Sequence, residues 1–175
     1  MSKAEKLIKS ETERLFLRPT NTEDAEFLLE LMNSPKWLKN IGDRKVRTVQ
    51  DAINYIVTKV KTQQERLGFS NYTVIRKSDQ TKIGPCGLYD RDGLEGVDIG
   101  FAFLPEYEKM GYAYESASKM MELGIQHFGL TKISAITLQE NTESQRLIEK
   151  LGLKYAKRVK LPNDEAELLL YVAEF

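Results

Sequence analysis

The stretch from residue 97 to residue 114, VDIGFAFLPEYEKMGYAY, constrains the fold most. Val97, Ile99, Phe101 and Phe103 alternate with smaller or polar residues, the pattern of a buried strand over Val97 to Leu104. Pro105 ends that strand, because proline has no N–H to give to a ladder. Lys109, Met110 and Gly111 read as a short loop. From Ala113 onward apolar residues recur at positions 117, 120, 121, 124, 125 and 128, one face of a helix. Gly129 stops it. A strand therefore feeds a glycine-containing turn that opens a helix.

Such a junction is suited to anions. The first turn of a helix carries N–H groups without intrahelical partners, at the positive end of the helix dipole. Phosphate binds there readily, and Gly111 lets the backbone approach without a side chain in the way. A diphosphate-bearing cofactor is one guest for this turn. A plain strand-to-helix connection is the other reading, since a single glycine is a weak signal.

The remaining elements follow in order. Residues 1–12 are polar and expected to be loosely held. Leu15 to Arg18 reads as a short strand stopped by Pro19. Asn21 or Thr22 can cap a helix over Glu23 to Met32, with Ala25, Leu28, Leu29 and Met32 on its apolar face. Residues 35–47 read as irregular and hold the only tryptophan, Trp37, which either lines a cleft or packs one helix on the next. Thr48 opens a longer helix to Gly68, with Ala52, Ile53, Ile56, Val57 and Val60 on one face. Phe69 to Arg76 and Lys82 to Asp90 form a hairpin, in which Pro85 implies a bulge or an edge. Strand Lys132 to Leu138, helix Thr142 to Leu151, and a closing hairpin around residues 162–164 complete the chain. The order β-α-α-β-β-β-α-β-α-β-β predicts an α+β fold. Its mixed, mostly antiparallel twisted sheet has about seven strands, flanked by about four helices.

The totals bound what such a chain does. At 175 residues one domain over residues 1–175 is expected, and 41% hydrophobic residues suffice for a real core. A formal net charge of +0 argues against a broad nucleic-acid footprint. The single cysteine, Cys86, excludes an internal disulfide and fits a reducing compartment. No apolar run is long enough to span a membrane, and the N-terminal MSKAEKLIKSE lacks the apolar core of a signal peptide. A cytoplasmic location is expected. No Cys/His cluster suggests a metal.

Three segments together resemble the GNAT acyltransferase superfamily. Glu108-Lys109-Met110-Gly111-Tyr112-Ala113 is similar to the acetyl-CoA motif Q/R-x-x-G-x-G/A, with Glu108 departing from the usual Gln or Arg. Residues 141–153, NTESQRLIEKLGL, resemble the family's N-x-x-S-x-R-L-x-E-K-L-G-F signature. Arg14-Leu15-Phe16-Leu17-Arg18-Pro19 resembles the first strand of the ribosomal-protein N-terminal acetyltransferase branch.

The resemblance implies acetyl-CoA as donor, no metal, and an amine acceptor taken in a ternary complex without a covalent intermediate. It implies that the central strands splay, with the pantetheine arm pairing to exposed backbone around Phe101, Ala102 and Phe103. Lys109, Met110, Gly111, Tyr112, Ala113 and Tyr114 would hold the diphosphate, with Asn141 and Arg146 also contacting the cofactor. The loop bearing Trp37 would help form the acceptor site. The acceptor is expected to be a protein N-terminal α-amine, with a small amine such as a polyamine or antibiotic as the alternative. A non-catalytic acyl-CoA sensor is a further one, and the assembly is expected to be a monomer or a homodimer.

Acyl transfer to an amine needs a base for the amine, a donor for the thioester oxygen and help for the departing thiolate. Asp98, a carboxylate within an apolar strand, is costly unless paired, exposed or used. It is the candidate base, with Glu95 as the weaker one and a salt bridge as the structural alternative. Ser144 is either a group near the thioester sulfur, as the resemblance implies, or a helix-start residue. The tyrosine that other branches carry four residues later is Ile148 here. Tyr112 and Tyr114 either cover the diphosphate or pack. His127 is expected on the surface, and Cys86 in the core.

Overall fold

Local chemistry sets the helix starts. In the computed structural model, which describes residues 8–162 and 164–175, β1 (Ser10–Glu11) and β2 (Leu15–Pro19) come first. Asn21 then accepts from the Glu23 N–H while its own N–H donates to Asp24, so a 3-10 turn leads into α1 (Ala25–Met32). In α2 (Pro35–Asn40), Pro35 occupies the first turn, where its missing N–H costs nothing. Thr48 and Asp51 form a reciprocal capping box on α3 (Val49–Tyr55). A π-helical stretch, Ile56–Lys61, carries α3 into α4 (Thr62–Leu67), which ends on left-handed Gly68.

Strands dominate from there: β3 (Asn71–Arg76), β4 (Thr81–Asp90) and β5 (Val97–Phe101). Then come α5 (Tyr112–Gln126), β6 (Lys132–Leu138), α6 (Thr142–Lys150), β7 (Lys154–Val159) and β8 (Leu168–Glu174). They build one eight-stranded sheet in the order β1-β2-β3-β4-β5-β6-β8-β7. Every pairing is antiparallel except β5 with β6, which is parallel and holds only at Val97↔Ile133 and Asp98↔Ser134. Beyond Asp98 the two central strands part.

The strand alternation divides the sheet chemically. Leu15, Leu17, Tyr72, Val74, Cys86, Leu88 and Ile99 point to one face and form the main core with Ala117, Met120 and Met121 of α5. The opposite face carries Arg18, Asn71, Thr73, Gly87, Tyr89 and Asp98, as the cross-strand partners Arg18↔Thr73, Asn71↔Gly87 and Tyr89↔Asp98 require. A second apolar cluster joins α1 to α3 and the π-helical stretch through Leu28, Leu31, Ala52 and Ile56. The Gln63 side chain donates to the carbonyls of Phe69 and Leu88 and so ties α4 to the strands.

Several expectations are revised. Ser10–Glu11 pairs with β2 instead of lying loose, whereas residues 1–7 fall outside the described residues, as does Asn163 in the last turn. The extra strand brings the sheet to eight. The segment read as irregular contains α2, because Ser34 is extended and Pro35 presets the helical turn. Val57 is exposed at 45%, since the π-helical stretch rotates the face away from the 3.6-residue period. The strand expected to reach Leu104 ends at Phe101, although Ala102 and Leu104 still donate to the carbonyls of Pro85 and Ile83. Pro85 lies inside the sheet beside a bulge, where the register jumps from Val74↔Gly84 to Ile75↔Lys82.

Gly84 shows how closely the chain after β5 crosses β4. A Cβ there would meet the Ala102 carbonyl oxygen at 2.2 Å and the Phe103 ring at 2.6 Å. Backbone cannot move aside as a flexible side chain can. Gly84→Ala should therefore cost about 1–3 kcal/mol, in the range of overpacked cores. Urea unfolding at an unchanged m-value reads this as a lowered midpoint; an unaltered midpoint would mean that the crossing is looser than described.

Candidate active site

The parting of β5 and β6 opens a cleft of about 710 Å³ that runs between α2, the start of α5 and the start of α6. Of the residues predicted for the site, Asp98, Phe101, Ala102, Phe103, Lys109, Gly111, Tyr112, Ala113, Tyr114, Asn141, Ser144, Arg146 and Trp37 all line it. Met110 does not. Its side chain is 48% exposed, and its carbonyl accepts from Arg14. Glu95 is exposed in the turn before β5, outside the cleft. His127 is exposed at the end of α5. No group of three or more potential metal ligands occurs among the described residues, and none of their helices is long and apolar enough to cross a membrane.

The start of α5 opens on left-handed backbone, unlike the starts of the other α-helices, although α1, α2 and α4 also lack a side-chain cap. Lys109 (φ 60°) and Gly111 (φ 84°) are both left-handed, which turns the chain sharply into the helix. Gly111 is the cap residue, and no side chain caps the helix. α3 has Thr48 and α6 has Asn141 for that purpose. At α5 the first-turn N–H groups remain available to a ligand. The loop is braced from behind by Arg14. Its Nε donates to Glu115 at 2.9 Å, its Nη1 to the Met110 carbonyl at 3.0 Å, and its guanidinium lies 4.4 Å from the centre of the Tyr112 ring. Tyr112 is thus buried against Arg14, while Tyr114 is 36% exposed with Lys150 over its ring.

Glu108, the departure from the motif, points at α2. Lys36 Nζ donates to its Oε2 at 2.5 Å and to Glu143 of α6 at 3.1 Å. One lysine thus joins the loop, α2 and α6 across the cleft mouth. It keeps the Glu108 carboxylate off the helix start, where it would repel a phosphate. The hydrogen bond that Lys36 donates to Glu108 raises the lysine's pKa, and the one it donates to Glu143 lowers that carboxyl's, so Lys36 and Glu143 stay charged at neutral pH.

On the cleft floor Asp98 is 1% exposed, and Arg91 Nε donates to both its oxygens, at 2.8 and 2.9 Å. Burial pushes the Asp98 carboxyl above its ordinary range, with Arg91 opposing. The Arg91 guanidinium also stacks on Tyr89, whose hydroxyl donates to Asn71. At the other wall, Asn141 Oδ1 accepts from the Ser144 N–H at 3.3 Å. Asn141 is thus the cap of α6, and the Ser144 hydroxyl faces the cleft without a partner among the described residues. Ile148 is buried in the core. Trp37 Nε1, buried in the cleft wall, has no hydrogen-bond partner among the described residues.

Sequence reading missed Lys36, Asn71, Tyr89 and Arg91. The β4 alternation held a signal for two of them: Cys86 and Leu88 face the core, so Gly87, Tyr89 and Arg91 must share the other side. Asn71 alternates likewise with core-facing Tyr72 and Val74, whereas Lys36 had no signal, because its partner Glu108 lies 72 positions away.

The GNAT acetyltransferase domain model matches residues 14–154 of the chain. The N-acetyltransferase YoaA of Bacillus subtilis is 28% identical over 145 residues, 82% of this chain and 81% of YoaA. A GNAT-family acetyltransferase structure from Bacillus anthracis superposes with a TM-score of 0.78 at 25% identity, covering 95% of this chain and 98% of that one. A ribosomal L7/L12 α-N-protein acetyltransferase, RimL, solved in complex with coenzyme A, has a TM-score of 0.78 at 13% identity, covering 94% and 96% of the two chains.

Cys86 tests the division of the sheet into a dry face and a cleft face. It is 0% exposed, and burial raises its thiol to about 12. At pH 8 only about one thiol in 10⁴ is then ionised. Labelling by a disulfide reagent should be at least ~10³-fold slower in the native protein than in urea. Prompt native labelling would place Cys86 on the cleft side.

Proposed function

This chain belongs to the GNAT acetyltransferase family, and from that premise we propose that it transfers the acetyl group of acetyl-CoA to the α-amine of a protein N-terminus. The observation that carries the donor half is the uncapped start of α5 beside the unpaired edges of β5 and β6. The backbone N–H groups from Lys109 to Tyr114 take the diphosphate. The free strand backbone past Asp98 takes the amides of the pantetheine arm. Asn141 and Arg146 flank that path. The donor supplies an acetyl thioester, which is already activated toward an amine.

The cleft residues then have three tasks. Asp98, whose basicity burial increases, removes a proton from the incoming ammonium directly or through one water. The Ser144 hydroxyl, free of capping duty, hydrogen-bonds the sulfur that departs. Trp37 and the α2 segment wall the acceptor side. One ammonium and one thioester yield one amide, one thiol and one released proton. Cys86, buried and held protonated, plays no part.

Charge supports the α-amine over a polyamine. Of the carboxylates that line the cleft, Asp98, Glu108 and Glu143 are salt-bridged, to Arg91 or Lys36, which leaves Asp164 alone without a salt bridge among the described residues. A polycation needs several unpaired carboxylates, whereas one α-amine needs only a single base. An α-amine with a pKa of about 7.7–8.0 is also far easier to use neutral than a lysine near 10.4. Thiol release from acetyl-CoA should therefore be at least ~10-fold faster with α-amine peptides than with spermidine. Tight CoA binding without turnover on any amine would make the chain a sensor instead.

The donor site is tested by Gly111→Val. A side chain at φ 84° is strained, and its Cβ would come within 3.2 Å of Arg14. CoA affinity should fall at least tenfold, about 1.4 kcal/mol; a folded variant that binds CoA normally would remove this loop from the site.

The catalytic groups separate by kinetics. Asp98→Asn should lower turnover about 10²–10⁴-fold and abolish the acidic limb of the pH profile, which in the parent lies above the ordinary carboxylate range. Ser144→Ala should lower turnover about 10-fold, the scale of one hydrogen bond to a charged group, at an unchanged melting temperature because Asn141 is the cap. Full turnover with a lower melting temperature would reduce Ser144 to a helix-start residue.

A further inference from the structure

A polar chain crosses the cleft-side face of the sheet, and its direction can be deduced. Asp24 is 0% exposed and accepts from Arg18 Nη1 and Nη2 at 2.8 Å each, with Lys82 Nζ 2.7 Å away. Burial alone would raise its carboxyl. The charge-assisted bonds outweigh burial and hold the pKa at about 2, so Asp24 is ionised and can only accept. Thr73 Oγ1 therefore donates to Asp24 Oδ2 at 2.9 Å. With its one proton spent, Thr73 must accept from Thr20 Oγ1 at 2.9 Å. Thr20 in turn accepts from the Asn71 amide nitrogen at 2.9 Å, which leaves the Asn71 oxygen for the Tyr89 hydroxyl proton. The reverse orientation of the Asn71 amide would leave Thr73 and Asp24 facing each other with two lone pairs and no proton. The buried anion thus sets every dipole in the row, and each bond polarises the next.

At the cleft end the consequence is chemical. Tyr89 lines the cleft and its proton is committed to Asn71, so its oxygen can offer only lone pairs. It cannot act as the acid for a leaving thiolate. Tyr89 and Asp98 are direct cross-strand partners, with their side chains on one face. Gly87 and Gly100, also paired, leave that face clear. A Cβ on Gly87 would meet Tyr89 Oη at 2.8 Å, and one on Gly100 would meet its ring at 2.9 Å. Arg91 stacks on the ring and is occupied by Asp98. An oriented acceptor therefore stands beside the candidate base; with the pantetheine amides taken up by the strand backbone past Asp98, the group left with N–H protons to give is the amine.

We propose that Tyr89 Oη is the acceptor that seats the incoming amine, with Asn71, Thr20, Thr73 and Asp24 as positioning residues that hold it in that role. The identity of the ligand rests on the acetyl-transfer reading above; the seat itself does not require turnover.

The test follows the Tyr89 side chain directly. In CoA-bound protein carrying [13Cζ]tyrosine, with Tyr89 assigned by through-bond correlation, an alanine-initiated tetrapeptide amide and spermidine are titrated separately. The Tyr89 Cζ resonance should shift saturably with at least one of them. Thr73→Val, which cuts the chain two links away from the cleft, should weaken that titration about 3–10-fold and leave CoA affinity unaltered. In steady state, Tyr89→Phe should raise the amine KM about 10-fold with kcat within about 3-fold; a lowered kcat at unchanged KM would make Tyr89 an acid and overturn the proposal. A resonance that neither amine moves would overturn it as well. If the resonance moves but no amine is acetylated, the transfer reading falls and the seat stands.

Discussion

Two residue pairs hold the halves of this sheet together. Val97↔Ile133 and Asp98↔Ser134 are the whole of the β5–β6 ladder, and the candidate site lies where that ladder stops. A parallel pair needs a crossover, and here α5 supplies it. The helix must start near the end of β5 and return over the sheet to β6. Its positive end is therefore placed at the mouth of the gap that the parting strands create. The uncapped helix start and the free strand edges arise from one topological act.

The gap is costly unless something braces it, since it interrupts a ladder in mid-sheet. The braces are charged and long-range. Arg14, in the turn between β1 and β2, ties the loop before α5 to Glu115, and Lys36 links the same loop to α6 through Glu108 and Glu143. Below them, Asp98 and Arg91 form a pair buried enough that losing one partner would strand the other. Solvent-exposed ion pairs contribute little to stability. Those at the mouth matter for where they hold the loop, since a carboxylate bound to Lys36 does not compete for the helix start.

The two faces of the sheet divide the labour. One face is apolar and closes on α5, where Cys86 is inert. The other carries a row of hydroxyl and amide groups that ends at Asp24 beneath the first helix. Such a row is rarely placed in a core without full satisfaction, because each unpaired member costs about 1–3 kcal/mol. Here all members are paired, and the residual acceptor capacity emerges at Tyr89 in the cleft.

Much of this was legible in the chain. The alternation from Val97 to Phe103, the stop at Pro105, the freedom of Gly111 and the apolar spacing after Ala113 are local signals, and they determined the strand–turn–helix unit. The spacing from Asn141 to Gly152 likewise marked α6, and the residue types at 98 and 144 marked a carboxylate and a hydroxyl that needed a reason. Tertiary structure alone decided which partner each would meet. Asp98 acquired Arg91 through the β4–β5 turn, Glu108 was turned away by Lys36 from 72 positions off, and Asn141 relieved Ser144 of capping. Asn71 and Tyr89 gained their orientation from an anion 47 and 65 positions earlier in the numbering, at residue 24. Periodicity records which way a side chain faces, because that depends on the neighbours in sequence. It holds no record of charge and proton direction across strands, because those depend on which distant groups the closed sheet brings within 3 Å.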